Sequence, residues 1–125
     1  MRALIDTNVL LRWYWSADAV SAAARAVIEE AANEIVVSVI SLYEIGNKNR
    51  LGKLAVGVSD IELAAEDDGF NFLAIDRRHA RCAATLPWNH RDPWDRLIAA
   101  QAMEEGLPLL STDTAFDAVG IERIW

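Results

Sequence analysis

Asp6, Glu44, Asp95 and Asp113 each follow an apolar run and precede a segment of helical pattern. If those runs are neighbouring parallel strands, their C-terminal ends share one sheet edge, where open α/β folds place their sites. Carboxylates gathered at such an edge repel one another and lose solvation, and a divalent cation is the natural compensator. All-oxygen ligand sets of this kind suit magnesium or manganese, as one ion or two. The reaction expected of such a centre is phosphodiester hydrolysis by a metal-activated water. No serine, cysteine or histidine arrangement suggests a covalent nucleophile.

Each acid also has a purely structural role open to it. Ser41-Leu42-Tyr43-Glu44 fits a capping box, in which Glu44 would bond back to the helix start. Asp92-Pro93-Trp94-Asp95 has a cap, a proline at the first helical position and an acid at the third. Asp113 can cap a turn that begins at Thr114, and Asp6 with Asn8 can cap the first helix. Capping does not require four acids to converge, however, and it is compatible with metal binding because a helix N-terminus favours an ionised carboxylate.

Other polar residues carry weaker expectations. Asp92 and Arg96 are spaced for an i,i+4 pair. Asp117, the Asp67-Asp68 pair, His79 and His90 read as surface residues. Trp13, Tyr14 and Trp15 are adjacent on one short helix, which cannot bury all three on one face, so at least one marks a protein contact.

These side chains must be positioned by elements that the apolar pattern outlines. Strands are predicted at Ala3 to Ile5, Ile35 to Val37, Phe70 to Ile75, Leu107 to Leu110 and Ile121 to Trp125. Helices are predicted at Val9 to Trp15, Ala19 to Ala32, Ser41 to Arg50, Asp60 to Asp68, Asp76 to about Ala84 and Pro93 to Met103, with a turn or two at Thr114 to Val119. Gly106 is placed to end the Pro93 helix. Strands alternating with helices imply a three-layer α/β/α fold around a mainly parallel sheet of about five strands. A length of 125 residues predicts one domain, residues 1–125.

Composition narrows the class. Apolar residues make up 53 %, ample for a core. No run is long enough for a membrane span, and the apolar start breaks at Asp6, unlike a signal peptide. Cys82 is the only cysteine, which excludes an intrachain disulfide and fits a reducing cytoplasm. A net charge of −7 argues against simple electrostatic binding of nucleic acid. The cations are clustered, though: Lys48, Arg50 and Lys53 follow Glu44, while Arg77, Arg78, Arg81, Arg91 and Arg96 lie near Asp95. Lys48 and Arg96 are the expected contacts to substrate phosphates.

Four segments taken together resemble PIN-domain ribonucleases. They are Leu4-Ile5-Asp6-Thr7-Asn8, Ser38 to Ile45 with its extension Arg50-Leu51-Gly52-Lys53-Leu54, His90 to Ala102, and Leu110-Ser111-Thr112-Asp113. The resemblance spans nearly the whole chain and keeps the motifs in order. It implies a VapC-like toxin of a toxin–antitoxin pair: a magnesium- or manganese-dependent endoribonuclease, often dimeric, restrained by a partner antitoxin. Carried over by position, Asp6, Glu44 and Asp95 would be the core metal ligands, Asp113 the fourth acid, and Asn8 a supporting hydrogen-bonding residue. Many relatives carry a further acid two residues beyond the fourth motif's aspartate. Ala115 stands there in this chain, which leaves a second metal position less well supplied.

Three rival readings meet specific obstacles. A haloacid-dehalogenase-type phosphatase needs a second aspartate where Asn8 stands. A phosphorelay receiver needs a lysine near its last strand, and the only lysines are Lys48 and Lys53. A non-catalytic PIN-like module that binds protein or RNA would have no need of all four acids.

Overall fold

The computed structural model describes residues 1–125 and is built around five short strands: β1 (Arg2–Ile5), β2 (Glu34–Ser38), β3 (Asn71–Leu73), β4 (Leu109–Leu110) and β5 (Arg123–Ile124). Their order in the sheet is β3-β2-β1-β4-β5, and every pairing is parallel. Leu4 lies opposite Val36 on one side and Leu109 on the other, so β1 is the central strand. Burial on both faces explains why these strands read as unbroken apolar runs rather than as alternating ones.

Side chains alternate across the sheet and build two cores. Ala3, Ile5, Ile35, Val37 and Leu110 face one core, with Val9 and Leu10 of α1 (Thr7–Trp15), Ala24 and Ile28 of α2 (Ala22–Glu29), Ile45 of α3 (Val39–Arg50), and Ile61 and Ala65 of α4 (Val58–Asp67). Leu4, Val36 and Leu109 face the other, with Ile98, Ala99 and Ala102 of α6 (Pro93–Glu105) and Phe116. α3 contributes Ile45 to the first core and Ile40 to the second. α5 (Arg77–Thr85) packs mainly on α6. Helices on both faces of a parallel sheet make the three layers that the alternation of elements implies.

Several boundaries differ from expectation. α2 is shorter than Ala19 to Ala32: a 3-10 turn occupies Ala17–Ala19, and the Ser21 hydroxyl then accepts from the Ala24 N–H as a new cap. α3 starts at Val39, because Ser38 caps it by accepting from the Ile40 N–H. Ser41 is therefore inside the helix and forms no capping box with Glu44. α4 begins two residues early at Val58, and β3 covers only Asn71–Leu73 of the expected strand. Asp76 does cap α5 in a true capping box, with His79 as the reciprocal partner. Gly106 ends α6 at φ 63°, a left-handed conformation that costs glycine least.

Candidate metal centre at the sheet edge

The strand order fixes where a site can form. From β1 the chain moves outward through β2 to β3, then returns to the other flank of β1 at β4, so the direction reverses between β1 and β4. Loops diverge at such a switch point and leave a crevice beyond the strand ends. Asp6 follows β1 directly, and its N–H donates to the Leu110 carbonyl of β4 at 3.1 Å. Asp113 stands three residues beyond β4.

Glu44 and Asp95 arrive differently from the sequence expectation. Neither immediately follows a strand. Glu44 is the sixth residue of α3, which departs straight from the end of β2, and Asp95 lies in the first turn of α6. Both helices aim at the same crevice, and the four acids line one cavity of about 210 Å³ with Asn8, Lys48 and Thr112. Lys48, one turn beyond Glu44 on α3, donates to its Oε2 at 2.9 Å.

Capping and clustering coexist at two of these positions, Asp6 and Asp113. Asp6 Oδ1 accepts from the Val9 N–H at 2.8 Å, which caps α1. Asp113 Oδ1 accepts from the Ala115 N–H at 2.9 Å. Asp92, not Asp95, caps α6, by accepting from the Trp94 and Asp95 N–H groups. Asp92 is thus spent on the cap and forms no pair with Arg96.

The electrostatics are those of an under-compensated acidic pocket. Asp6 is only 8 % exposed, and burial, with repulsion from Asp95 and Glu44, pushes its pKa up to about 6 against the opposing bonds from Ser111 and Val9. Asp95 is also raised, chiefly by burial, with His90 acting in the opposite sense. Apart from the Lys48 ammonium, the polar groups facing the cavity are carboxylates, an amide and hydroxyls. This all-oxygen set with excess negative charge fits a hard divalent cation.

His90 corrects one expectation. It is not an idle surface residue: its Nε2–H donates to Asp95 Oδ2 at 2.6 Å, and atoms of His90, Asp95 and Asp113 lie within 4.8 Å of one another. The ring stacks on Trp88 at 4.6 Å, and Trp88 leans on buried Phe116 at 5.6 Å. Such outer partners hold a ligating carboxylate in one orientation. His79 is likewise no surface residue. It is 1 % exposed, its Nδ1 accepts from the Asp76 N–H, and its Nε2 bonds Glu105 at 2.9 Å, so it fixes the start of α5 against the end of α6.

Arg96 stands apart from the cavity chemistry expected of it. Its guanidinium donates to the carbonyls of Ala83, Leu86, Trp88 and His90 at 2.7 to 3.0 Å. Four of its five N–H groups are thereby engaged in holding the loop that carries His90 against the end of α5. Lys48 is the cation that does face the acids. Asp117 is exposed, as expected, and pairs there with Arg123 at 2.9 Å.

Thr7 and Thr112 escaped the sequence reading. Thr7 donates to Ser41 Oγ at 2.9 Å, linking the start of α1 to α3, and Thr112 lines the cavity. Their signal was adjacency: one threonine follows Asp6, the other precedes Asp113.

The family model for the PIN domain matches residues 3–122, nearly the entire chain. The chain belongs to the PIN domain family. No curated protein matches the sequence. Among solved structures, this PIN domain is similar to a toxin–antitoxin complex from Klebsiella pneumoniae, with TM-score 0.70 and 20 % identity over 98 % of this chain and 96 % of that one. It is similar to VapBC2 from Rickettsia felis, solved with a promoter DNA fragment, with TM-score 0.69 and 16 % identity over all of both chains. VapBC-5 from Mycobacterium tuberculosis aligns at TM-score 0.57 and 22 % identity, over 98 % and 94 % of the two chains. At these identities the likeness establishes the shared fold. PIN domains are generally nucleases, which makes this chain a phosphodiester hydrolase by class. No helix is long and apolar enough to cross a membrane.

Proposed function

We propose that this PIN domain is a metal-dependent endoribonuclease and the toxin of a toxin–antitoxin pair. The observation that carries the catalytic half is the convergence of Asp6, Glu44, Asp95 and Asp113 on one cavity. The partner half rests on the toxin–antitoxin complexes among its structural neighbours.

Asp6, Glu44 and Asp95 would hold magnesium or manganese, and Asp113 would complete the acidic wall. When bound, the cation would activate water towards phosphorus and offset charge at the scissile phosphate. The protein's own groups do the remainder. His90 keeps one oxygen of Asp95 engaged, which orients the other. Lys48 neutralises Glu44 in the free site, and stands where a substrate phosphate would meet it. Asn8, exposed at the start of α1, supplies a neutral hydrogen-bonding group. An antitoxin that covers the cavity would keep this activity silent, and a homodimer is the assembly we expect for the free toxin.

The test is cleavage of a pool of structured cellular RNAs by partner-free protein with manganese, magnesium or chelator, beside Asp6→Asn. Asparagine still caps a helix, so this variant removes charge and spares the fold. Metal-dependent cutting that disappears in Asp6→Asn is the expected result. Equal cutting by both proteins would overturn the site assignment.

A further inference from the structure

One prominent aromatic has no part in the site so far described. Tyr43 is 61 % exposed, although it lies next to Glu44 on α3. Trp94 occupies the corresponding place beside Asp95 on α6. The two rings meet at 5.2 Å between centroids and 42° between planes. Neither ring lines the cavity, but each is the chain neighbour of an acid that does, and the pair joins α3 to α6 beside it.

We propose that Tyr43, braced by Trp94, is a stacking platform for one base of single-stranded RNA whose backbone enters the acidic cavity. This rests on the ribonuclease reading and specifies its substrate class. Half-buried Trp94 meets the tyrosine ring at a tilt and restrains it, while most of the ring faces solvent. A base needs one free face to stack there, and the bases of a duplex have both faces covered by their neighbours.

The surroundings favour nucleic acid over a protein partner. Positions four and seven residues beyond Tyr43 share its side of α3, and they are Asn47 and Arg50, joined by a hydrogen bond from the guanidinium. An apolar partner surface would continue with apolar residues at those places. Here an aromatic ring is followed by an amide and a cation, with Lys48 and Lys53 close along the chain. An aromatic platform beside positive charge is how sequence-tolerant single-strand binders are made. The chain's negative charge, −7 overall, is locally reversed along this stretch.

The experiment measures binding of a fluorescein-labelled single-stranded RNA of about 12 nucleotides, and of the same RNA annealed to its complement. Chelator is present, so that affinity is read without cleavage. Tyr43→Phe should keep single-strand affinity. Tyr43→Ala and Tyr43→Leu should weaken it by about 5- to 100-fold, and the duplex should bind more weakly than the single strand. Leu63→Ala, an exposed apolar change on α4, serves as the control. Circular dichroism and melting confirm that each variant is folded. Leucine binding as well as tyrosine would overturn stacking, and unchanged binding by Tyr43→Ala would overturn the platform. Intact RNA affinity with impaired self-association or protein-partner binding would assign Tyr43 to a protein interface, and so also overturn it. In these three cases metal-dependent cutting by the wild type would leave the nuclease reading standing. Wild-type protein that neither binds nor cuts RNA would overturn both.

Discussion

Asp6 performs two tasks that pull against each other. As the cap of α1 it helps start a helix, and as a buried acid beside Asp95 and Glu44 it carries charge where charge is costly. A folded pKa of about 6 against the ordinary 3.8 corresponds to about 3 kcal/mol. The sign follows from proton binding: between pH 4 and 6 the folded protein holds a proton that the unfolded chain has released. The stability is therefore complete below the unfolded value and lost as pH rises through 6. Asp6→Asn removes that penalty while retaining a cap, so in chelator it should be more stable than wild type by about 1–3 kcal/mol at pH 7.5. The difference should shrink to little below pH 4, as measured by urea unfolding across the range. A pH-independent difference would mean that Asp6 is not ionising as a buried acid.

The same penalty explains why metal should stabilise the protein. A ligand that binds only the folded state at 100 times its Kd adds about 2.7 kcal/mol. Thermal melting with millimolar manganese should show a clear upward shift in wild type and a much smaller one in Asp6→Asn. Equal shifts in both would place the metal elsewhere.

At the scale of elements, the loop between α5 and α6 determines how well the site is held. Arg96 gathers three of its carbonyls, Leu86, Trp88 and His90, and ties them to the Ala83 carbonyl of α5, and the chain so fixed presents Trp88 and His90 to Phe116 and Asp95. Arg96→Ala removes all four of these bonds at once and should cost about 2–4 kcal/mol. Arg96→Lys should recover little, because one ammonium cannot reproduce a planar fork aimed at several carbonyls. Hydrogen exchange should quicken at the Leu86 amide, which bonds Cys82 of α5, and at the Trp88 amide, which bonds Leu86. Unchanged exchange there would remove the positioning role. None of these contacts was readable in the sequence, since they join residues 6 to 13 apart across a loop with no periodicity.

The acids were legible for the opposite reason: carboxylates are visible as residue types, and each stands beside a pattern that specifies an element. Strand cores were legible too, because Leu4-Ile5 and Ile35-Val36-Val37 are buried on both faces. Helix starts were the weak point. Ser38 and Ser41 are both plausible caps, and Val39 and Ile40, β-branched residues that favour strands, are helical because Ser38 wins. That shift of three residues makes Glu44 a mid-helix side chain pointing into the crevice rather than a capping partner. Alanine-rich α2 was overextended because alanine carries no stop signal, and only Ser21 marks its start.

For the whole molecule, the exposed end of α1 is where a partner should meet it. The three adjacent aromatics of α1 have separated roles. The Tyr14 hydroxyl donates to Asp68 at 2.7 Å while its ring packs near Phe70, and Trp13 lies under the Arg25 guanidinium at 5.6 Å. Trp15 is left 51 % exposed at the helix end. Large aromatics held in water supply much of the binding energy when an interface covers them. Self-association, or binding of the proposed antitoxin, should therefore bury Trp15, slowing hydrogen exchange across residues 13–15 on assembly. Trp15→Ala should weaken that assembly at least tenfold by sedimentation or calorimetry, and leave metal-dependent cleavage by the free protein in place, because Trp15 does not line the acidic cavity. Exchange at residues 13–15 that is the same free and assembled would move the interface off α1, and an assembly indifferent to Trp15→Ala would show that an exposed tryptophan is tolerated here without a partner.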